Sequence, residues 1–143
     1  LTGLLLAAWL SAAPTPLEEV ERHFDRHGRS SPRRDAALEQ AAARLADRAL
    51  DTPAAEISAQ ASVTAALSAA GGWDPAPRAL VLRARPAAGA LEALRTHASV
   101  ADEPATHAGA ATAQSGSLGT VVVLLAERLA ELEPFPRRLP VPV

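Results

Sequence analysis

Four histidines are the residues in this chain best suited to chemistry, because cysteine is absent. Thiolate nucleophiles, thiolate metal sites, disulfides and lipid-modified cysteines are excluded with it. His23 and His27 stand four apart in His23-Phe24-Asp25-Arg26-His27, the spacing at which two imidazoles on one helix can share a metal ion. A zinc-protease helix needs glutamate where this chain has Phe24, and no third ligand accompanies the pair. Arg22, Arg26 and Arg29 also place positive charge where a cation would sit, so the pair reads as a solvated helix face. His97 and His107 are the other titratable candidates, with Asp102 and Glu103 as acidic groups that folding could bring to them. A hydrolase or metal-dependent enzyme using His23, His27, His97 or His107 is the alternative reading, and it requires such groups to converge.

The remaining motifs read as structure. Ser115-Gly116-Ser117 lacks the glycines two residues either side of a serine that a nucleophile elbow needs, and a hairpin loop explains it. Gly71-Gly72 has none of the further glycines of a dinucleotide or phosphate loop and reads as a helix stop. Arg33-Arg34 and Arg137-Arg138 are isolated, solvated basic pairs. Net charge is −2, and two Trp, two Phe and no Tyr are too few for a base-stacking platform. Nucleic acid is therefore excluded as a partner. The 14 basic residues are all arginine in an alanine-rich chain, a bias that reads as the codon usage of a GC-rich genome. Neither a catalytic site nor a metal or cofactor site assembles from these residues.

The elements that must position them follow from periodicity and caps. Leu1 to Ala13 is an uncharged apolar run before Pro14-Thr15-Pro16, too short to span a membrane and similar to a signal-peptide core. Leu17, Val20 and Phe24 mark a helix that Gly28 stops. Asp35 caps a second helix with Leu38, Ala42, Leu45, Ala46 and Ala49 on its apolar face. Thr52-Pro53 with Glu56 predicts a third, carrying Ile57, Val63 and Leu67 and ending near Gly71-Gly72. Ala79-Leu80-Val81-Leu82 predicts a strand, and Pro86 opens a fourth helix with Leu91 and Leu94 on one face. Thr106 to Ala113 and Thr120 to Ala126 predict a β-hairpin around Gln114-Ser115-Gly116-Ser117. Leu45, Leu67, Leu91, Val122 and Leu124 are the predicted core. Residues from Arg128 to Glu133 have no clear period, and Pro134-Phe135-Pro136 and Pro140-Val141-Pro142 predict an extended tail or linker.

Taken in order, these elements resemble the CAP superfamily of cysteine-rich secretory, antigen 5 and pathogenesis-related proteins. The likeness is carried by His27-Gly28 ending the first helix, Arg34-Asp35, and then Leu38, Ala41, Ala42 and Ala46. Gly72-Trp73 is similar to the family's Gly-aromatic step, and Leu91, Leu94 and His97 to its Trp-x-x-Ser-x-x-His segment. Thr106-His107-Ala108-Gly109 resembles its Thr-His-Val-Gly strand.

The resemblance implies an exported α-β-α sandwich with a cleft of two His and two acidic residues. Of those positions only His97 matches. No His follows the second helix, and Ala79 to Leu82 stands where the family has Glu-Asn-Ile-Ala. The sequence thus predicts an α+β fold, a small α-β-α sandwich with about four helices and a short, mainly antiparallel sheet. Residues 1–16 read as a signal-like leader, 17–133 as a CAP-like domain and 134–143 as a proline-rich tail. The expected role is a noncatalytic binding or structural module of an exported bacterial protein, with no cofactor, no metal and His97 as the residual cleft candidate. Its implied partners are cell-envelope components or further domains of a longer chain, with the leader contacting the membrane.

Overall fold

The computed structural model describes residues 14–128. The apolar leader run, the segment after Arg128 and the proline-rich tail lie outside the described residues.

Helix α1 (Pro16–Arg26) starts where the Thr15 hydroxyl accepts a hydrogen bond from the Glu18 amide at 3.2 Å. Thr15 and Pro16, assigned from sequence to the leader, are this helix's cap and first residue. A hydroxyl satisfies a free first-turn N–H, and proline, which lacks an N–H, suits the first position. The helix ends at Arg26, Gly28 turns the chain with a positive φ, and the Arg29 amide closes the turn on the Phe24 carbonyl at 2.9 Å.

Arg33–Arg34 form β1 and lead into α2 (Ala36–Arg48), capped by Asp35, whose Oδ2 accepts from the Leu38 amide at 3.0 Å. The pair is not merely solvated, since Arg34 also binds Glu21 at 2.7 Å.

The single helix expected after Thr52 is instead two pieces, α3 (Ala54–Ile57) and α4 (Gln60–Ala69), with no side-chain cap at the start of either. Thr52 donates its hydroxyl proton to Asp51. The break has a packing cause. At 3.6 residues per turn, Ile57 and Ala66 on one continuous helix would point about 180° apart, yet both enter the same core. Re-aiming the chain at Ser58-Ala59 lets them do so.

Strand β2 (Arg78–Ala84) precedes α5 (Ala88–Thr96), and β3 (His107–Ser115) and β4 (Leu118–Ala126) form the hairpin. The strand order is β1-β3-β4-β2, antiparallel except where β1 runs parallel to β3. Every residue of β4 is buried, as expected of an inner strand covered on both faces. Alternation along β4 separates two cores. Val122, Leu124 and Ala126 face α2 and α4, while Val121, Val123 and Leu125 face α1 and α5. The molecule is therefore a small α+β sandwich, five helices over the two faces of a four-stranded mixed sheet among the described residues.

Leu45, Leu67, Val122 and Leu124 are buried as expected. Leu91 is not. It is half-buried, because Ala90 and Leu94 turn inward and Leu91 is left on the wall of a cavity with Thr112 and Gln114.

Candidate functional site

The histidines are dispersed. His23 is buried, and its Nε2–H donates to the Leu94 carbonyl of α5 at 2.7 Å. The expectation of a solvated His23/His27 face is corrected for His23, because a polar end in the α1–α5 seam finds an acceptor there. His27 is exposed, and its Nδ1–H donates to the His23 carbonyl at 2.8 Å. One ring thus points into the seam and the other lies back along the helix, so the four-residue spacing brings no shared ligand position. His97, the residual cleft candidate, is half-buried at the end of α5, with Nδ1 sharing a hydrogen bond with Ser99 Oγ at 3.0 Å. Ser99 borders a surface cavity of about 350 Å³ with Arg78, Leu80, Val100 and Leu125, a mostly apolar wall with no carboxylate.

His107 meets neither Asp102 nor Glu103 in a hydrogen bond. Its Nδ1 shares one with Thr106 Oγ1 at 2.8 Å, while Glu103 binds Arg78 at 3.5 Å. Among the described residues, no three His, Asp or Glu side chains gather as metal ligands would. Nor is any described helix long and apolar enough to cross a membrane.

What does converge is a cluster that sequence reading left apart. Arg128, two residues past β4, sends Nε and Nη2 to the two carboxylate oxygens of Asp74 at 2.8 and 2.9 Å. Its Nη1 reaches Asp35 Oδ1 at 3.3 Å. Its backbone amide donates to Thr106 Oγ1 at 2.7 Å. The guanidinium also lies 5.7 Å from the centre of the Trp73 ring, within the range of a cation–π contact. Asp74 is 5% exposed, whereas Trp73 is 57% exposed, so the ion pair is covered while the indole faces solvent.

A bidentate guanidinium–carboxylate pair is the strong, geometrically specific form of such a contact. Arg128's hydrogen bonds hold the Asp74 carboxyl below the ordinary aspartate range against the opposing effect of burial, and its charge and that of His107 act in the same direction. In return, Asp74 first and then Asp35 raise Arg128, again against burial.

Each member is placed by an element end. Asp35 caps α2 with one oxygen and holds Arg128 with the other, Asp74 comes from the loop after Gly71-Gly72, and Thr106 immediately precedes β3. Sequence reading had Asp35 as a cap only and did not single out Asp74 or Arg128. Two acids and one base separated by up to 93 positions carry no local spacing signal. The one available hint was a tryptophan beside an aspartate in a loop between glycines and prolines.

Chemically, the cluster is closed. Both carboxylates are committed to one guanidinium, and four surface cavities of about 300 to 370 Å³ among the described residues are lined by other residues. No family model matches the chain, and neither does a curated protein or a solved structure.

Proposed function

We propose that this chain is a noncatalytic, CAP-like binding or structural module of an exported bacterial protein, working with cell-envelope components or with further domains of a longer chain. The layering of helices on both faces of a short sheet, with α5 ending at His97, supports the CAP-like reading. The apolar run Leu1 to Ala13 supports export.

One observation carries the noncatalytic part: the convergent ionisable groups form a closed tie between α2, the loop at Asp74 and the end of β4. Groups kept for chemistry commonly cost stability, so replacing them tends to stabilise a protein. A tie behaves in the opposite way, because removing one partner strands a covered charge.

Denaturant unfolding of Arg128→Met is the test. The expected result is a loss of about 3 kcal/mol. Unchanged or increased stability would sink the structural reading and return the cluster to consideration as a site.

A further inference from the structure

The two edges of the sheet are finished differently. On one side, β1 is two arginines long and follows Pro32, features that blunt an edge. On the other, β2 runs seven residues with Ala79, Leu80, Val81 and Leu82 all only partly covered.

The direction of its backbone groups can be derived. The Asp35 amide donates to the Ala108 carbonyl, so even-numbered β3 residues turn toward β1 and odd-numbered ones toward β4. With Ser115 opposite Leu118, β4 then turns its even residues to β3 and its odd residues to β2. The register Leu80↔Val123 and Leu82↔Val121 directs the even residues of β2 inward. Ala79, Val81 and Arg83 therefore turn their N–H and C=O groups outward. No described backbone bond outside the ladders reaches any of them.

Charges that guard an edge are tied back here. Arg78 donates to the Glu103 carbonyl at 3.0 Å and Arg83 to the Leu50 carbonyl at 3.5 Å.

We propose that β2 pairs antiparallel with β2 of a second copy of this chain, on a twofold axis through Val81, making one continuous eight-stranded sheet. This inference is independent of the family reading. The strand is complementary to itself in that one register. Val81 opposes Val81, and Ala79 opposes Arg83, so all three outward-facing residues meet as hydrogen-bonded pairs. Between them Leu80 opposes Leu82 and Arg78 opposes Ala84, and no arginine faces another. Sliding the axis to Leu80 would set Arg83 against Pro77, which has no N–H to donate. The edge of β3 beyond β1 is a poorer partner, since Thr112 and Gln114 are exposed there.

Sedimentation of the full chain over a concentration series tests this, together with Val81→Pro. Proline at 81 deletes an outward N–H and leaves the ladder to β4 intact, a position edge strands tolerate. The wild type is expected to reach twice the monomer mass and the variant to stay monomeric. Ala79→Pro, which removes another outward N–H, replaces it if Val81→Pro does not fold. Amide exchange on the wild type gives an independent reading: Ala79, Val81 and Arg83 slow as concentration rises. A wild type monomeric throughout, a dimer that survives the proline, growth beyond twofold, or three amides that exchange freely in the dimer would each overturn the proposal.

Discussion

Against one face of the sheet lie α2 and α4, whose Ala41, Ala42, Ala46 and Ala66 let backbones approach closely. A Cβ on Gly109 would sit 2.3 Å from the Glu39 nitrogen, so β3 and α2 touch without a side chain between them. Against the other face, α1 and α5 are spaced from the sheet by Phe24, Leu17 and Leu94, except at the start of α5, where a Cβ on Gly119 would sit 2.5 Å from the Ala87 carbonyl oxygen, and this layer also buries Glu19 and His23.

Both layers use the same device at a helix end. The last carbonyls of a helix have no intrahelical partner. Thr120 of β4 donates to the Ala46 carbonyl near the end of α2 at 2.7 Å, and His23 donates to the Leu94 carbonyl near the end of α5, which the His97 amide also reaches at 3.2 Å. The close layer needs only a hydroxyl, whereas the wide one needs an imidazole. A buried histidine is here a spacer with a donor, which weighs against reading it as a reagent.

The close layer is the easier of the two to disrupt. Gly109→Val should cost the most, at least about 3 kcal/mol, because overpacking against backbone is relieved only by moving α2. A cooperative melt near that of the wild type would show that the contact is not tight.

The two donors differ in the volume they fill. His23→Ala leaves a void and takes the shorter of two donors from the Leu94 carbonyl, and should cost about 2–3 kcal/mol, while Thr120→Val keeps the volume and should cost about 1 kcal/mol. Equal losses in denaturant unfolding would mean that the two layers do not differ as described.

The smallest effect concerns pH. Asp74 has a folded pKa below its unfolded value of about 3.9. Its contribution is therefore present above that value and fades as pH falls through the folded pKa. Asp74→Asn should be less stable than the wild type near neutrality, and the gap should narrow in acid. A gap constant with pH, followed by unfolding at a series of pH values, would remove the ion pair from the account.

What was legible in the chain was whatever its physics keeps local. Asp35 before an apolar period, Gly28 after one, and the Val121 to Leu125 run each signal an element within a few residues. The break at Ser58-Ala59 was not legible, because no proline or glycine marks it and its cause is the orientation of a sheet distant in sequence. Nor was β1, since two arginines carry no strand signal and pair only because Thr106 and Ala108 offer carbonyls. His23 shows the limit most clearly. Its spacing to His27 suggested either a metal pair or solvent, and the acceptor that claimed it lies 71 positions away. The Arg128 cluster was hidden for the same reason.

If His23 and the Arg128–Asp74–Asp35 cluster serve as internal ties, a divalent metal should find no site among them, and divalent-metal titration measures this. Zinc and nickel are added to the full chain while the melting transition is followed, and His97→Ala and His23→Ala serve as controls. No specific stabilisation and no saturable isotherm are expected. A one-to-one isotherm abolished by either substitution would contradict this. So would stabilisation near the roughly 2.7 kcal/mol that a site gains at a hundredfold excess over its dissociation constant, and the enzyme reading would then take first place.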